Sequence, residues 1–290
     1  MYNALLPGAI GIKNQTLPEL ITLAAEAGFQ GVNFDVREAK ALADEHGIDY
    51  VKALFTDANM KAAGWGIPVN WQDDSVRDAQ LAELPAFAAV AVALGATNGL
   101  SGIMPGNNER PFDEQYAYVL ERFKPMASVL KESGVDIGIE FISPKTLRDK
   151  FQYEFIYSMQ QMLAFAQDVG TGNVGVLFDV WHHYTAHGTI DELDNLNASD
   201  VLYVHVNDAP TGLEIDEQQD LTRALPLATG VIDAPEMLRR LARIGYTGPV
   251  AAEPFSIEVN DLAADNALAA AKITAEATQK LLDLAGVAQA

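Results

Sequence analysis

The sequence predicts an α/β protein, a (β/α)8 barrel forming a single domain over residues 1–290. Three observations predict it. Short runs rich in Val, Ile or Phe alternate eight times with longer stretches whose apolar residues recur at helical spacing. Helical stretches end on Gly28, Gly47, Gly95, Gly134, Gly170 and Gly245, as left-handed caps require. No linker, low-complexity segment or shift of composition divides the chain, and its length suits one barrel. An open doubly wound sheet is the competing fold, but no Gly-x-Gly-x-x-Gly turn follows the first run.

The units follow in order. A first strand is read at Ala9–Ile12, before a helix at Leu17–Ala27 that opens on a Thr16–Glu19 capping box with Pro18 in its first turn. Gly31–Asp35 precedes a helix at Val36–His46, and Ala63–Val69 precedes one at Ser75–Leu94. Ala96–Met104 leads to Phe112–Ser133, and Val135–Ile142 to Phe155–Val169. Val174–Trp181 is followed by a short helix around Ile190–Leu196. Val201–Val206 runs through a long polar loop to Ala234–Ile244, and Val250–Phe255 is closed by a C-terminal helix at about 264–284.

Composition narrows the partners. Nineteen basic residues against 40 acidic ones give a net charge of −21, which repels phosphate backbones and acidic membranes. The longest apolar stretch, Leu84–Ala96, is shorter than the roughly 18 residues of a spanning helix. The first residues carry no basic segment ahead of an apolar one, so a cytoplasmic location is expected. Cysteine is absent, which excludes disulfides, thiolate metal sites and a cysteine nucleophile. Any metal must be held by His, Asp and Glu.

In such a barrel the active site lies at the C-terminal ends of the strands. The fifth strand carries Glu140 there, and the sixth carries Asp179, His182 and His183. The seventh carries His205, Asn207 and Asp208, and the eighth Glu253. An ionised carboxylate inside an apolar run loses its hydration and must be paired or neutralised. The only basic residues on these four strand ends are histidines, so a divalent cation held by Glu140, Asp179, His205 and Glu253 resolves the conflict. Oxygen-rich coordination with one nitrogen suits Mn²⁺, Mg²⁺ or Co²⁺, with Zn²⁺ as a further alternative. The blander readings are a buried ion pair for either glutamate, a helix cap for Asp179 and a core histidine for His205.

At these residues the sequence resembles the xylose-isomerase-like TIM-barrel superfamily, which includes sugar isomerases, epimerases and family-2 AP endonucleases. The segments that carry the resemblance are GIEF at 138–141, LFDVWHH at 177–183, VHVNDAP at 204–210 and GVIDAPEMLRRLARIGYTGPVAAEPF at 230–255. The last two are similar to the inosose-isomerase-like branch. The resemblance implies one divalent metal, Mn²⁺ first, on Glu140, Asp179, His205 and Glu253. It also implies a proton shuttle in which Glu140 and Glu253 take and return the proton of an enediolate. His182 and Arg223 match residues that contact substrate, while Lys145 and Trp181 are further candidates for substrate binding.

The resemblance thus implies an isomerase or epimerase of a keto-sugar or keto-inositol. The runner-up is a lyase on the same site, an inosose dehydratase or the large subunit of a 3-keto C-glycoside deglycosidase. A non-catalytic sugar-binding barrel is the third reading. Ketose 3-epimerases carry Asn-Arg-x-Glu soon after the first metal glutamate, whereas SPKTLRDK stands at 143–150, which disfavours a free ketohexose. The endonuclease site needs early-strand histidines, but His46 alone precedes residue 182. The expected partners are a small sugar or cyclitol, with no nucleic acid and no membrane. A second copy of the chain or a small partner subunit is a further expectation.

Overall fold

The computed structural model describes residues 1–287. Eight parallel strands close a barrel in the order one, eight, seven, six, five, four, three, two. They are Tyr2–Leu5, Gly31–Phe34, Lys61–Gly66, Asn98–Ile103, Asp136–Phe141, Val174–Asp179, Val201–Val206 and Pro249–Ala252. The predicted fold class is therefore the observed one.

The first strand lies earlier than the sequence suggested. Pro7 opens a 3-10 turn, Pro7–Ile10, and Gly11 at φ 76° ends it, so the apolar residues Ala9 and Ile10 belong to a turn. The true strand is disguised by Asn3, a wholly buried residue whose Nδ2 donates to Ala275 O at 3.0 Å. That bond ties the amide NH₂ to the last helix, while Oδ1 is buried with no partner among the described residues.

Helices Leu17–Ala27, Val36–His46, Arg77–Ala93, Phe112–Glu132 and Ala234–Arg243 stand close to their expected places. All six cap glycines have positive φ. The helix of the fifth unit starts at Met159, not Phe155, because Ser158 and Gln161 form a capping box there. Just before it, Tyr153–Glu154 pairs antiparallel with Gly106–Asn107 above the barrel. An additional helix, Ile48–Asp57, follows Gly47. In the sixth unit a helix at Val180–Thr185 precedes a 3-10 segment, Ile190–Asn195. The C-terminal helix is two helices, Ile257–Asp265 and Ala267–Ala285. Asn266 ends the first and caps the second by accepting from Ala269 N at 3.0 Å.

The core has two parts. One lies between strands and helices and includes Leu84, Phe123, Phe165, Leu238 and Leu282. The other fills the barrel interior with Ala4, Ala63, Leu177, Tyr203 and Ala251. Four small or medium residues leave room for one large ring, so the interior is packed solid below the mouth. Leu6 and Leu100 lie against this cluster and face the mouth.

Candidate metal centre and active site

Strands five to eight deliver the predicted quartet to one point. One ligand atom from each of Glu140, Asp179, His205 and Glu253 lies within 4.8 Å of the others. His205 Nδ1 is 3.2 Å from Glu140 Oε1, 3.4 Å from Glu253 Oε1 and 4.0 Å from Asp179 Oδ2. Donors around a single ion at about 2.1 Å stand roughly 3 to 3.5 Å apart, so most of these separations suit a shared cation. His205 Nε2 is buried with no hydrogen-bond partner among the described residues. The imidazole can therefore carry its proton on Nε2 and leave the Nδ1 lone pair to a cation.

Arg223 corrects the charge argument made from sequence. Its guanidinium reaches in from the loop after the seventh strand, so histidines are not the sole basic groups at the quartet. Nη1 lies 2.7 Å from both Asp179 Oδ2 and Glu253 Oε2. Burial disfavours its charge, yet Asp179 and Glu253 outweigh that and hold the guanidinium above its ordinary pKa. Three carboxylates face one guanidinium and one imidazole. Burial, then the charge of Glu253, push the Glu140 carboxyl up to about 7. At Glu253 burial pulls the same way but is overcome by His205 and Arg223, so its carboxyl falls to about 2. Burial likewise opposes the charge on His205, whose carboxylate neighbours nonetheless raise it well above 6.5. The donor set and its spacing fit a divalent ion.

Asp179 serves two purposes at once. Its Oδ1 accepts from Trp181 N at 2.7 Å and caps helix Val180–Thr185, while Oδ2 faces the quartet. The helix-cap reading therefore holds, and the same carboxylate also faces the quartet. His182, on that helix, is fully buried, and burial followed by the charge of Arg223 lowers it to about 3. Ser143 N donates to its Nδ1 at 3.2 Å, which leaves the ring proton on Nε2. Arg223 Nη2 lies 3.1 Å from that Nε2, and Glu140 Oε1 lies 4.0 Å away.

Two other expected residues sit differently. Trp181 is wholly buried with its ring 4.5 Å from the Arg223 guanidinium, so it supports that side chain from behind. Lys145 is on the short helix Lys145–Arg148, half-buried and paired with Asp149 at 2.6 Å in an i, i+4 ion pair. It is not brought to the quartet.

Sequence reasoning gave no role to two residues that matter here. Asn207 Nδ2 donates to Asp179 Oδ1 at 3.2 Å and to Glu253 O at 3.3 Å, tying the sixth and eighth strands across the seventh. Asp208 is wholly buried and binds the Arg223 loop. Its Oδ1 accepts from Ala209 N and Ile232 N, and its Oδ2 from Thr229 N and Gly230 N. A backbone bridge pairs Asp208 with Ala224, next to Arg223. Their position directly after His205 was the available signal.

The quartet opens into a cavity of about 530 Å³ at the barrel mouth, lined by Glu140, His205 and Glu253 on one side. The opposite side comes from the first four strands and their loops and includes Leu6, Phe34, Trp65 and Leu100. Among the described residues lining it, none is Lys or Arg.

With this arrangement in view, comparison with known proteins is decisive about kinship. The family model described as xylose isomerase-like TIM barrel matches residues 21–281. The chain belongs to that family. A ketose 3-epimerase from Arthrobacter globiformis is 26% identical over 248 residues, 81% of this chain and 76% of the relative. An inosose isomerase from Halalkalibacterium halodurans is 29% identical over 155 residues, about half of each chain. Among solved structures, a xylose isomerase domain protein from Alicyclobacillus acidocaldarius superposes with a TM-score of 0.86 at 30% identity, over 99% of both chains. No helix among the described residues is long and apolar enough to cross a membrane.

Proposed function

We propose that this member of the family is a divalent-metal-dependent isomerase or epimerase of a neutral keto-sugar or keto-cyclitol. The observation that carries the reading is the convergence of Glu140, Asp179, His205 and Glu253 in one open-sided pocket. A lining without Lys or Arg favours an uncharged substrate over a phosphorylated or carboxylated one. Relatives named ketose 3-epimerase and inosose isomerase support the reaction class.

A bound divalent ion would supply Lewis-acid polarisation of a carbonyl and its neighbouring hydroxyl. Glu140, Asp179, His205 and Glu253 would hold it, and three oxygen donors with one nitrogen favour Mn²⁺ over softer ions. Glu140 and Glu253 sit in unlike environments, Glu253 ion-paired with Arg223 at 2.7 Å and Glu140 facing His205 at 3.2 Å. One of the two glutamates takes the proton from the carbon beside the carbonyl, and the other returns one at the other face or the adjacent carbon. The His182 Nε2–H and Arg223 Nη2 face each other as two donors 3.1 Å apart, both buried behind the quartet and outside the cavity lining.

The test combines elemental analysis with incubation of 2-keto-myo-inositol and D-fructose in D₂O. Stoichiometric metal and deuterium beside the carbonyl, both absent in Glu140→Gln and Glu253→Gln of native circular dichroism, are expected. Loss of a β-hydroxyl after exchange would instead indicate a lyase. Full exchange in either glutamine variant, or failure of the wild type to bind Mn²⁺, would overturn the proposal.

A further inference from the structure

The side of the mouth opposite the quartet joins apolar Leu6, Phe34, Trp65 and Leu100 with polar Gln15, Asp35, Glu38 and Ser101, and one buried amide stands among them. Asn33, near the end of the second strand, is 7% exposed and lines the cavity. Its orientation is determined by Tyr203, which rises through the barrel interior from the seventh strand. The Tyr203 hydroxyl is wholly buried and donates to Asn33 Oδ1. A buried phenol proton needs an acceptor, and an amide NH₂ cannot serve as one. Oδ1 is therefore committed to Tyr203, and Nδ2 is turned away from it. No described residue accepts from Nδ2, and the cavity is the space left for a partner.

Two features of the chain build this arrangement. The register between the second and third strands shifts between Val32 and Asn33, a bulge of the kind that re-aims a side chain near a site. On the third strand Gly64 gives room to the ring: a Cβ there would stand 2.8 Å from Tyr203 Cε2. The same ring meets His205 edge-to-face at 5.5 Å between centroids, so one aromatic touches both sides of the mouth.

We infer that Asn33 is a specificity-determining residue whose Nδ2 donates a hydrogen bond to an acceptor oxygen of the substrate, across the barrel from the metal quartet. Tyr203 is its positioning residue. The inference rests on the proposed reading of the cavity as a site for a neutral polyoxygenated molecule. A buried donor fixed in this way selects a hydroxyl, ether or carbonyl oxygen at that point. It rejects a substrate presenting only C–H or N–H there, because the buried amide would then lose its partner.

Side-chain amide NMR of the Mg²⁺-loaded wild type, titrated with 2-keto-myo-inositol and with D-fructose, tests this directly. The Asn33 NH₂ pair is expected to shift and saturate with one of these probes. Asn33→Ala should weaken that probe about tenfold with Mg²⁺ affinity unchanged, one neutral hydrogen bond plus the loss of fit. Tyr203→Phe, which keeps the ring and frees the amide to turn, should lose less affinity. A probe that binds without moving the NH₂ pair, wild-type affinity in folded Asn33→Ala, or no binding of either probe would overturn the inference. An NH₂ shift without deuterium exchange would refute the proton shuttle and leave the Asn33 assignment standing.

Discussion

Replacing Asp208 by Asn changes one atom and should loosen the whole loop that carries Arg223. In the native site each carboxylate oxygen accepts from two backbone N–H groups, at 2.9 and 3.1 Å for Oδ1 and 3.0 and 2.7 Å for Oδ2. An asparagine keeps one such oxygen and turns an NH₂ toward the other two donors. Two charge-assisted bonds are lost, at roughly 1.5 kcal/mol each, so the cost is about 3 kcal/mol. With an unfolding entropy of about 2.1 cal/mol/K per residue, a chain of this length should melt about 5 °C lower. Differential scanning calorimetry gives the melting temperature, and hydrogen exchange locates the loss. Faster exchange is expected at Thr229, Gly230 and Ile232, with helix Phe112–Glu132 unchanged. A melting temperature within 1 °C of wild type, with those three amides still protected, would show that the carboxylate does not organise this loop.

Other perturbations read separate parts of the structure. In Gly175→Ala the new Cβ would stand 2.7 Å from Asp200 O, a backbone atom with little freedom to move, so a loss of about 1–3 kcal/mol in urea unfolding is expected; an unchanged midpoint would contradict this close approach. His205→Ala should lower Mn²⁺ affinity by at least tenfold in isothermal titration, and full retention would remove it from the ligand set. Adding Mn²⁺ at about 100 times its Kd should stabilise the wild type by about 2.7 kcal/mol while leaving that variant nearly unmoved. Glu236, hydrogen-bonded by Arg240 and Arg239, has its carboxyl lowered to about 2 from 4.5. Because the folded value is the lower one, its stabilisation is present above pH 4.5 and lost as pH falls towards 2. Glu236→Gln should therefore be the less stable protein at pH 6, and the two melting temperatures should converge near pH 2.

The quartet was legible because each member interrupts an apolar run at the same end of its strand. A carboxylate in that position requires a partner, and the requirement is visible in one dimension. Arg223 was legible only as a matched loop residue, since its place among the carboxylates depends on Asp208 gripping amides 21 to 24 residues further on. Lys145 was misplaced for a local reason: Asp149, one turn along the same short helix, offers it a nearer carboxylate. Asn3 and Asn33 were hidden more deeply. Their partners, Ala275 and Tyr203, lie 272 and 170 residues away, and no local pattern announces such pairings. The Ala9–Ile12 error has the opposite origin, in that apolar composition outweighed the turn chemistry of Pro7, Gly8 and Gly11.

The closure of the barrel also sets an order of events during synthesis. The eighth strand is hydrogen-bonded to both the seventh and the first, so the oldest strand waits for the youngest before either has two neighbours. Glu253 follows directly on that last strand, which means Glu140, Asp179 and His205 leave the ribosome without their fourth companion. At the roughly 5–20 residues per second of translation, the 113 positions from Glu140 to Glu253 take several seconds to emerge. A metal held by this quartet would therefore be captured only by the finished ring, and a nascent or truncated chain lacking the eighth strand would hold an incomplete cage.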